Sequence, residues 1–567
     1  MQHAHIDIAD PSQRPRTPGR TLVGLLASIV VATSIATTTG RTQQGFPPVP
    51  VPPGNPITVE KTLLGKALFF EEQLSSTGTV SCATCHRMEA GSSDARSFGA
   101  KSVHPGIDGL FQTRDDVRGS RGVPANNADG SYRDVRFFGL SEQVTSRRAM
   151  PVVNAAFVPE AFWDGRATND FRDPQTNVVL LPNRASLESQ AAIPIVNDVE
   201  MAHFGVTWNE VVTRLGSVVP LALARDVPTA LAQHVAKGDY KELFRLAFGT
   251  SDITPARIAM AIATYERSLV SDQSRVDDFE RGNRAALTAE EQRGRQIFGA
   301  PQTRCIECHG GPLATDNRFH YTGVSPQAED LGRFLVTQQG PDRGRMRTPS
   351  MRNVALRAPY FHNGSARTLE DVVAFYNRGG DFNAPNKDGR IRPLNLSAAD
   401  QRAVVAFLRA FTDPRVAAAS APFDRPRLFT ESSDVPFFIG SGTAGSGQHV
   451  PAFVAYEPAS IDRSRLTLAL QGGHGGSPAL LLIDAFGDAQ GKAIAGMTLH
   501  LGLSPAFFAL DALVLQGTGP GQGYASMPLR LPSDPSLRGK EIYAQWVSQD
   551  FGVQALSATE AVRLRIF

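Results

Sequence analysis

Cysteine is scarce in this chain: there are four in 567 residues. All four fall in two C-x-x-C-H frames, Cys82-Ala83-Thr84-Cys85-His86 and Cys305-Ile306-Glu307-Cys308-His309, so no thiol is left over for a disulfide. A surplus of charge is missing too. With 57 basic against 55 acidic residues the net charge is +2, which gives no sign of a nucleic-acid surface or of a field that steers an acidic substrate. Long apolar runs are nearly absent. The exception, Thr21 to Ala36, follows Arg14, Arg16 and Arg20. It is close in length to a signal-peptide core and shorter than a comfortable membrane span, so residues 1–36 are expected to be an export signal ending at Ser34-Ile35-Ala36, an uncleaved anchor being the alternative. No cysteine precedes Cys82, which excludes a lipoprotein anchor. The mature chain is expected in the periplasm or elsewhere in the cell envelope, without a membrane span.

Two thiols three residues apart share one helical turn and can add across the two vinyl groups of one haem, while the adjacent histidine supplies the proximal iron ligand. The competing chemistry is a four-cysteine zinc site, since paired C-x-x-C spacings also suit tetrahedral thiolate coordination. Zinc needs no histidine after each pair, whereas haem attachment does.

The length suits three or four domains. Residues 37–56 contain Pro47-Pro48-Val49-Pro50-Val51-Pro52-Pro53 and are expected to be an extended linker. From Val59 to Phe70, Leu63, Leu64, Ala67 and Leu68 repeat at helical spacing just before the first motif. Before the second, Thr288 and Glu291 form a capping box that opens a helix through Phe298. Leu64-Gly65-Lys66-Ala67-Leu68-Phe69 and Arg293-Gly294-Arg295-Gln296-Ile297-Phe298 make a weak internal repeat. The expected fold is therefore mainly α, with two cytochrome c-like domains at 57–250 and 251–422. A helix begun by Thr254-Pro255 would open the second domain, and one capped by Ser397 and Asp400 would run to Phe411. Beyond 422 the pattern changes: alternating Leu466, Leu468 and Leu470, then short apolar runs at 479–484, 507–516, 542–547 and 562–567 between glycine-rich turns, predict an all-β, sandwich-like accessory domain over 423–567. It carries no cysteine and no evident catalytic cluster, so packing or attachment is its expected role.

Residues 57–415 resemble the bacterial dihaem cytochrome c peroxidase family, including its MauG-like branch. The resemblance rests on Asn154-Ala155-Ala156-Phe157, Phe162-Trp163-Asp164-Gly165-Arg166-Ala167, and Leu187-Glu188 with Gln190, Pro194 and Glu200-Met201. In the second half it rests on Thr348-Pro349-Ser350-Met351-Arg352-Asn353 and Ala358-Pro359-Tyr360-Phe361-His362-Asn363-Gly364. It implies two covalently bound haems. His86 would hold a peroxidatic haem, Glu200 would be the distal acid/base with Gln190 beside it, Trp163 would lie between the haems, and Arg166 would pair with a propionate or form a surface salt bridge. His309 would hold the second haem. Electron-accepting members place a methionine fourteen residues after the histidine of the Pro-Tyr-Phe-His motif; here that position is Tyr376, and no methionine lies between Met351 and Met497. A tyrosinate oxygen favours oxidised iron, where a thioether raises the potential.

Two departures bear on the analogy. The asparagine that helps bind calcium between the domains corresponds to Arg148, and a cation there argues against calcium. The family's removable distal histidine has its nearest counterpart in His104, two positions out of register and before Pro105. Insertions at about 105–145 and 168–186 exceed the family norm. The expected protein is an exported dihaem oxidoreductase that reacts with hydrogen peroxide at the first haem. It would then either take electrons from a small cytochrome or cupredoxin, or withdraw them from a protein or organic substrate. The alternative from another class is a non-catalytic electron carrier.

Overall fold

A computed structural model describes residues 45–461 and 465–567. The expected export signal lies outside the described residues. Six longer helices organise the first two thirds: α1 (Val59–Phe70), α2 (Ser186–Ile195), α3 (Pro255–Glu266), α4 (Ala289–Phe298), α5 (Leu369–Arg378) and α6 (Ala398–Arg409). The caps read from sequence start them: Thr288 and Glu291 bond reciprocally at α4, Pro255 sits in the first turn of α3, and the Ser397 hydroxyl accepts from the Asp400 N–H at α6. α6 ends two residues short of the expected Phe411.

The internal repeat has a packing cause. α1 crosses α3 so closely that a Cβ at Gly65 would lie 1.9 Å from the Ala261 carbonyl oxygen, and α4 crosses α6 so that one at Gly294 would lie 1.9 Å from that of Ala403. Only glycine permits either approach. The crossing also corrects an expectation. α3 does not open the second half; Ile258, Ala259, Ile262 and Tyr265 belong to the core of Leu64, Leu68, Phe69 and Phe244. The second core, around Phe298, Leu369, Val404, Phe407 and Leu408, starts with Val276.

The proline-rich stretch is not a free linker over its described part. A chain without internal hydrogen bonds must have its carbonyls satisfied from outside. The Arg267 Nε donates to the Pro50 carbonyl (3.1 Å) and the Lys61 Nζ to that of Pro56 (3.0 Å), while Phe46 and Val49 pack on Ala156, Phe157 and Leu187. The anchor is a buried bidentate pair. Arg267 donates to both oxygens of Glu188 at 2.8 Å with side chains 1% and 0% exposed, and Asn55 Nδ2 donates to the same carboxylate. Removing one partner strands the other charge in the core, so Glu188→Ala should lower unfolding stability by roughly 3–5 kcal/mol. Denaturant unfolding checks it, and a loss below about 1 kcal/mol would mean that water reaches Arg267.

The C-terminal region is β-rich, and the strands described in it pair antiparallel, with one parallel bridge between Ala459 and Ile566. One sheet orders Ala452–Val454, Leu466–Gly475 and Gly519–Leu529; a second orders Phe508–Ala509, Pro478–Asp484, Glu541–Asp550, Ala555–Arg565 and Phe437–Ile439, with Leu513–Val514 also on Pro478–Asp484; a third pairs Gly487–Ile494 with Met497–Leu501. Leu466, Leu468 and Leu470 point into the core around Trp546. The run expected at 507–516 forms only two short pieces, Phe508–Ala509 and Leu513–Val514. A buried carboxylate ties this region to the first helical core: Glu72 accepts from the N–H groups of Phe429 and Thr430 and from the Thr430 hydroxyl.

Candidate active site

Each C-x-x-C-H motif lines its own cavity. Cys82, Cys85 and His86 face one of ≈ 810 Å³, and Cys305, Cys308 and His309 face one of ≈ 210 Å³. The roomier first cavity suits a site that admits a small molecule beside a porphyrin. Separate cavities also remove the zinc alternative, because two pairs of thiols in different places cannot close one tetrahedral shell.

The two histidines are held alike. His86 Nδ1 lies 3.2 Å from the Ser92 carbonyl oxygen and His309 Nδ1 3.4 Å from that of Ala314. A carbonyl partner puts the proton on Nδ1 and leaves Nε2 as the donor to a metal. Burial keeps both rings neutral, pulling His309 down to about 4 and lowering His86 as well.

α2 sorts its residues by face. Leu187, Gln190, Ala191 and Pro194, at i, i+3, i+4 and i+7, line the first cavity, while Glu188 turns to Arg267. Glu200 lines the same cavity from the turn after α2, its N–H donating to Asn197 Oδ1 at 3.0 Å. The Arg121–Pro124 strand passes close beneath it: a Cβ at Gly122 would lie 1.9 Å from the Val199 carbonyl oxygen. The Glu200 carboxyl makes no hydrogen bond to the described residues, and desolvation raises its pKa against a weak opposing pull from Arg166. It is a half-buried carboxyl that lines a cavity with its proton-carrying capacity unspent.

In the second cavity Tyr376 of α5 stands with His309, packed on Phe375 and Phe361 at ring separations of 5.1 and 6.4 Å. Its hydroxyl has no hydrogen-bond partner among the described residues, and burial pushes its pKa up. The phenol thus stays protonated unless a Lewis acid takes its oxygen. Met346 and Met351 also line this cavity, and both precede the methionine-free stretch between Met351 and Met497. The Met351 N–H donates to the Ala314 carbonyl, so Met351 joins the loop that holds His309.

Arg148, Arg347 and Arg357 line the second cavity as well, each buried, without a carboxylate within ion-pair distance among the described residues, and pulled down to about 10 by desolvation. A buried cation without an anion is costly. A porphyrin bearing propionates supplies that anion, and with paired thiols and a neutral histidine in each cavity the donor set fits two c-type haems.

Between the cavities the chain repeats itself. Arg148 and Asn154 correspond to Arg347 and Asn353, and Ala161–Ala167 to Tyr360–Ala366; both asparagines are left-handed, with φ of 63° and 58°, as are Phe162 and Phe361 at 69° and 67°. The halves exchange bonds: the Arg347 N–H donates to the Trp163 carbonyl and the Arg148 N–H to that of His362, each at 2.8 Å. Trp163 and His362, equivalent in the repeat, meet edge-on at 6.2 Å between ring centroids, and both line both cavities. Trp163 is fixed by its Nε1–H donating to the Arg148 carbonyl at 2.9 Å.

Other sequence candidates land as follows. His104 lines the first cavity, its buried Nδ1 without a partner. Arg166 does too, but its guanidinium sits 3.2 Å from Asp164 and over the Phe162 ring at 3.7 Å, so a carboxylate of the chain answers the charge expected to meet a propionate. Arg148 occupies the expected calcium position with Nη2 donating to Ser93 Oγ at 2.9 Å. Arg347 and Arg357 lie outside the motifs read from the sequence, and His362 stood in one only as the residue from which Tyr376 is counted; the recurring R-x-x-x-x-x-N and F-x-x-G spacings carried the signal for Arg347 and His362.

A family model described as di-haem cytochrome c peroxidase matches residues 59–285. The chain is 30% identical over 406 residues to the cytochrome-c peroxidase IdrP1 of Denitromonas iodatirespirans, covering 65% of this chain and 87% of that one. It is 31% identical over 363 residues to the methylamine utilization protein MauG of Methylorubrum extorquens, covering 64% and 80%. Among solved structures, a MauG-like protein associated with microbial copper homeostasis matches at 27% identity and a TM-score of 0.49, covering 67% of this chain and 96% of that one. The chain belongs to the di-haem cytochrome c peroxidase family. It is an oxidoreductase, and the family implies two covalently bound c-type haems.

Proposed function

We propose that this protein reacts with hydrogen peroxide at the haem held by Cys82, Cys85 and His86, and shares the oxidising power through Trp163 with a second haem held by Cys305, Cys308, His309 and Tyr376. The observation that carries the reading is the unbonded carboxyl of Glu200 in the His86 cavity. When bound, the haems would supply iron that gives electrons to the peroxide O–O bond and then holds the oxidising equivalents. His86 presents Nε2 because Ser92 holds its other nitrogen. Glu200 moves the peroxide proton from the inner to the outer oxygen; Gln190, on the same wall, orients the small molecule. Trp163 is the large ring common to both cavities, and its bond to the Arg148 carbonyl keeps it there. Tyr376 would help hold the second haem through its phenolate oxygen.

Tyr376 favours one substrate class over the other. A charge-donating oxygen makes the second haem a poor electron store, so long-range oxidation of a protein or organic substrate suits it better than reduction of peroxide by a cytochrome or cupredoxin. The N-terminal arginines and apolar run support export to the cell envelope, and no helix of the described residues is long and apolar enough to cross a membrane. Calcium has no part in the reading, since Arg148 fills its expected position. Absorbance spectroscopy of the ferric holoprotein, before and after one equivalent of peroxide, tests the proposal. A mixed high-spin and low-spin resting spectrum that changes and stays changed supports it. Two six-coordinate irons indifferent to peroxide would make the protein an electron carrier, and fast turnover with reduced cytochrome would select the peroxidase.

A further inference from the structure

The 105–145 insertion and the β-rich region meet in a small buried cluster of Tyr132, Leu140, Val454 and Ala469, with Tyr456 and Tyr524 packed against it. The joint is bonded: the Tyr132 N–H donates to Ser526 Oγ at 2.7 Å and the Thr467 hydroxyl to the Gly130 carbonyl at 2.8 Å. It reaches back to the first cavity. The Cys85 sulfur lies 4.0 Å from the Arg121 carbonyl oxygen, Arg121 Nη1 donates to Glu142 Oε2 at 2.7 Å, and Tyr456 lies near Glu142, whose charge, after burial, holds its phenol pKa up. The Tyr456 and Tyr132 rings are 6.2 Å apart, and the Tyr132 hydroxyl donates to Glu457 Oε1 at 3.2 Å, both residues being 3% exposed.

Cys85 would be a thioether of the first haem, so this series of contacts runs from the porphyrin edge into the β-rich region. The two tyrosines differ in one respect. A phenol yields an electron at accessible potentials only if its proton leaves too. Glu142, the carboxylate near Tyr456, is already bonded by Arg121, whereas the Tyr132 hydroxyl itself donates to a carboxylate. Burial keeps the Tyr456 phenol protonated, so an electron can pass through its ring without the vacancy settling there.

Resting on the reading of the first haem given above, we propose that Tyr132 is a one-electron oxidation site, with Tyr456 as the ring between it and the first haem and Glu457 as its proton acceptor. Peroxide needs two electrons as its O–O bond breaks. With no outside donor present, Tyr132 supplies one of them by way of Tyr456 to the oxidised first haem, which is reduced by one electron. The phenolic proton passes to the Glu457 carboxylate, and a neutral tyrosyl radical remains in the joint, away from the porphyrin. The insertion and the β-rich region thereby acquire a redox task besides packing.

Electron paramagnetic resonance on the holoprotein, frozen after one equivalent of peroxide with absorbance recorded in parallel, tests this. The parent should show a tyrosyl signal, Tyr132→Phe should lose most of it with its haem spectrum unchanged, and Glu457→Gln should lower the yield while Tyr132 remains. Tyr456→Phe, which keeps the ring, should leave the signal in place. An undiminished signal in Tyr132→Phe, or no tyrosyl signal in a parent whose haem absorbance responds to peroxide, overturns the inference alone. A haem absorbance that ignores peroxide overturns the reading of the first haem and this inference with it.

Discussion

Glu200→Gln should slow the reaction of the first haem with peroxide by about 10²–10⁴-fold while leaving haem content and the resting spectrum unchanged. The amide keeps the size and polarity of the side chain but cannot take a proton from one oxygen and return it to the other. The carboxyl makes no hydrogen bond to the described residues, so its removal leaves no orphaned partner, and the change should cost chemistry rather than stability. The pH dependence has a definite sign. Burial raises the pKa of Glu200 above the ordinary carboxylate range, with only Arg166 pulling the other way. The proton-accepting form is the charged one, so the rate in the parent should climb with pH through that raised pKa and level off above it, whereas the glutamine variant should show no such limb. Stopped-flow absorbance over a pH series measures both. A variant reacting at the parental rate would remove Glu200 from the mechanism.

The haem motifs, the helix caps and the short repeat that contains Gly65 and Gly294 were legible in the sequence because each is a local rule: a spacing, a capping pair, a recurring string. What escaped depends on non-local closure. Nothing near Arg347 says that its backbone will bond Trp163, or that Trp163 and His362 will meet as equivalents of a folded-over repeat. The proline-rich stretch read as a linker because its own residues cannot bond one another; the donors that fix it, Arg267 and Lys61, come from elsewhere. α3 was assigned to the wrong half for a similar reason, since its apolar stripe fits either core and only the clearance at Gly65 selects α1. Arg166 shows the converse. A motif named the residue, but its neighbour Asp164 took the charge expected to meet a propionate.

Tyr376→Met should raise the reduction potential of the second haem by on the order of 100 mV or more, within the roughly 0.8 V that axial ligands command, and should speed turnover with a reduced cytochrome. The cause is ligand character: a thioether withdraws charge that a phenolate donates, so ferrous iron gains relative to ferric. The side chain stands beside Phe375 and Phe361, a surround in which an unbranched thioether finds room. Tyr376→Phe separates ligation from packing. It keeps the ring and deletes the oxygen, so a second iron bound by Tyr376 should turn from six-coordinate to high-spin. If the potential and spectrum of both variants match the parent, Tyr376 is not a ligand. Met346, which lines the same cavity, then becomes the group to replace, and because a thioether there would make the second haem a good electron store, the case for long-range oxidation over cytochrome-driven peroxide reduction would fall with it.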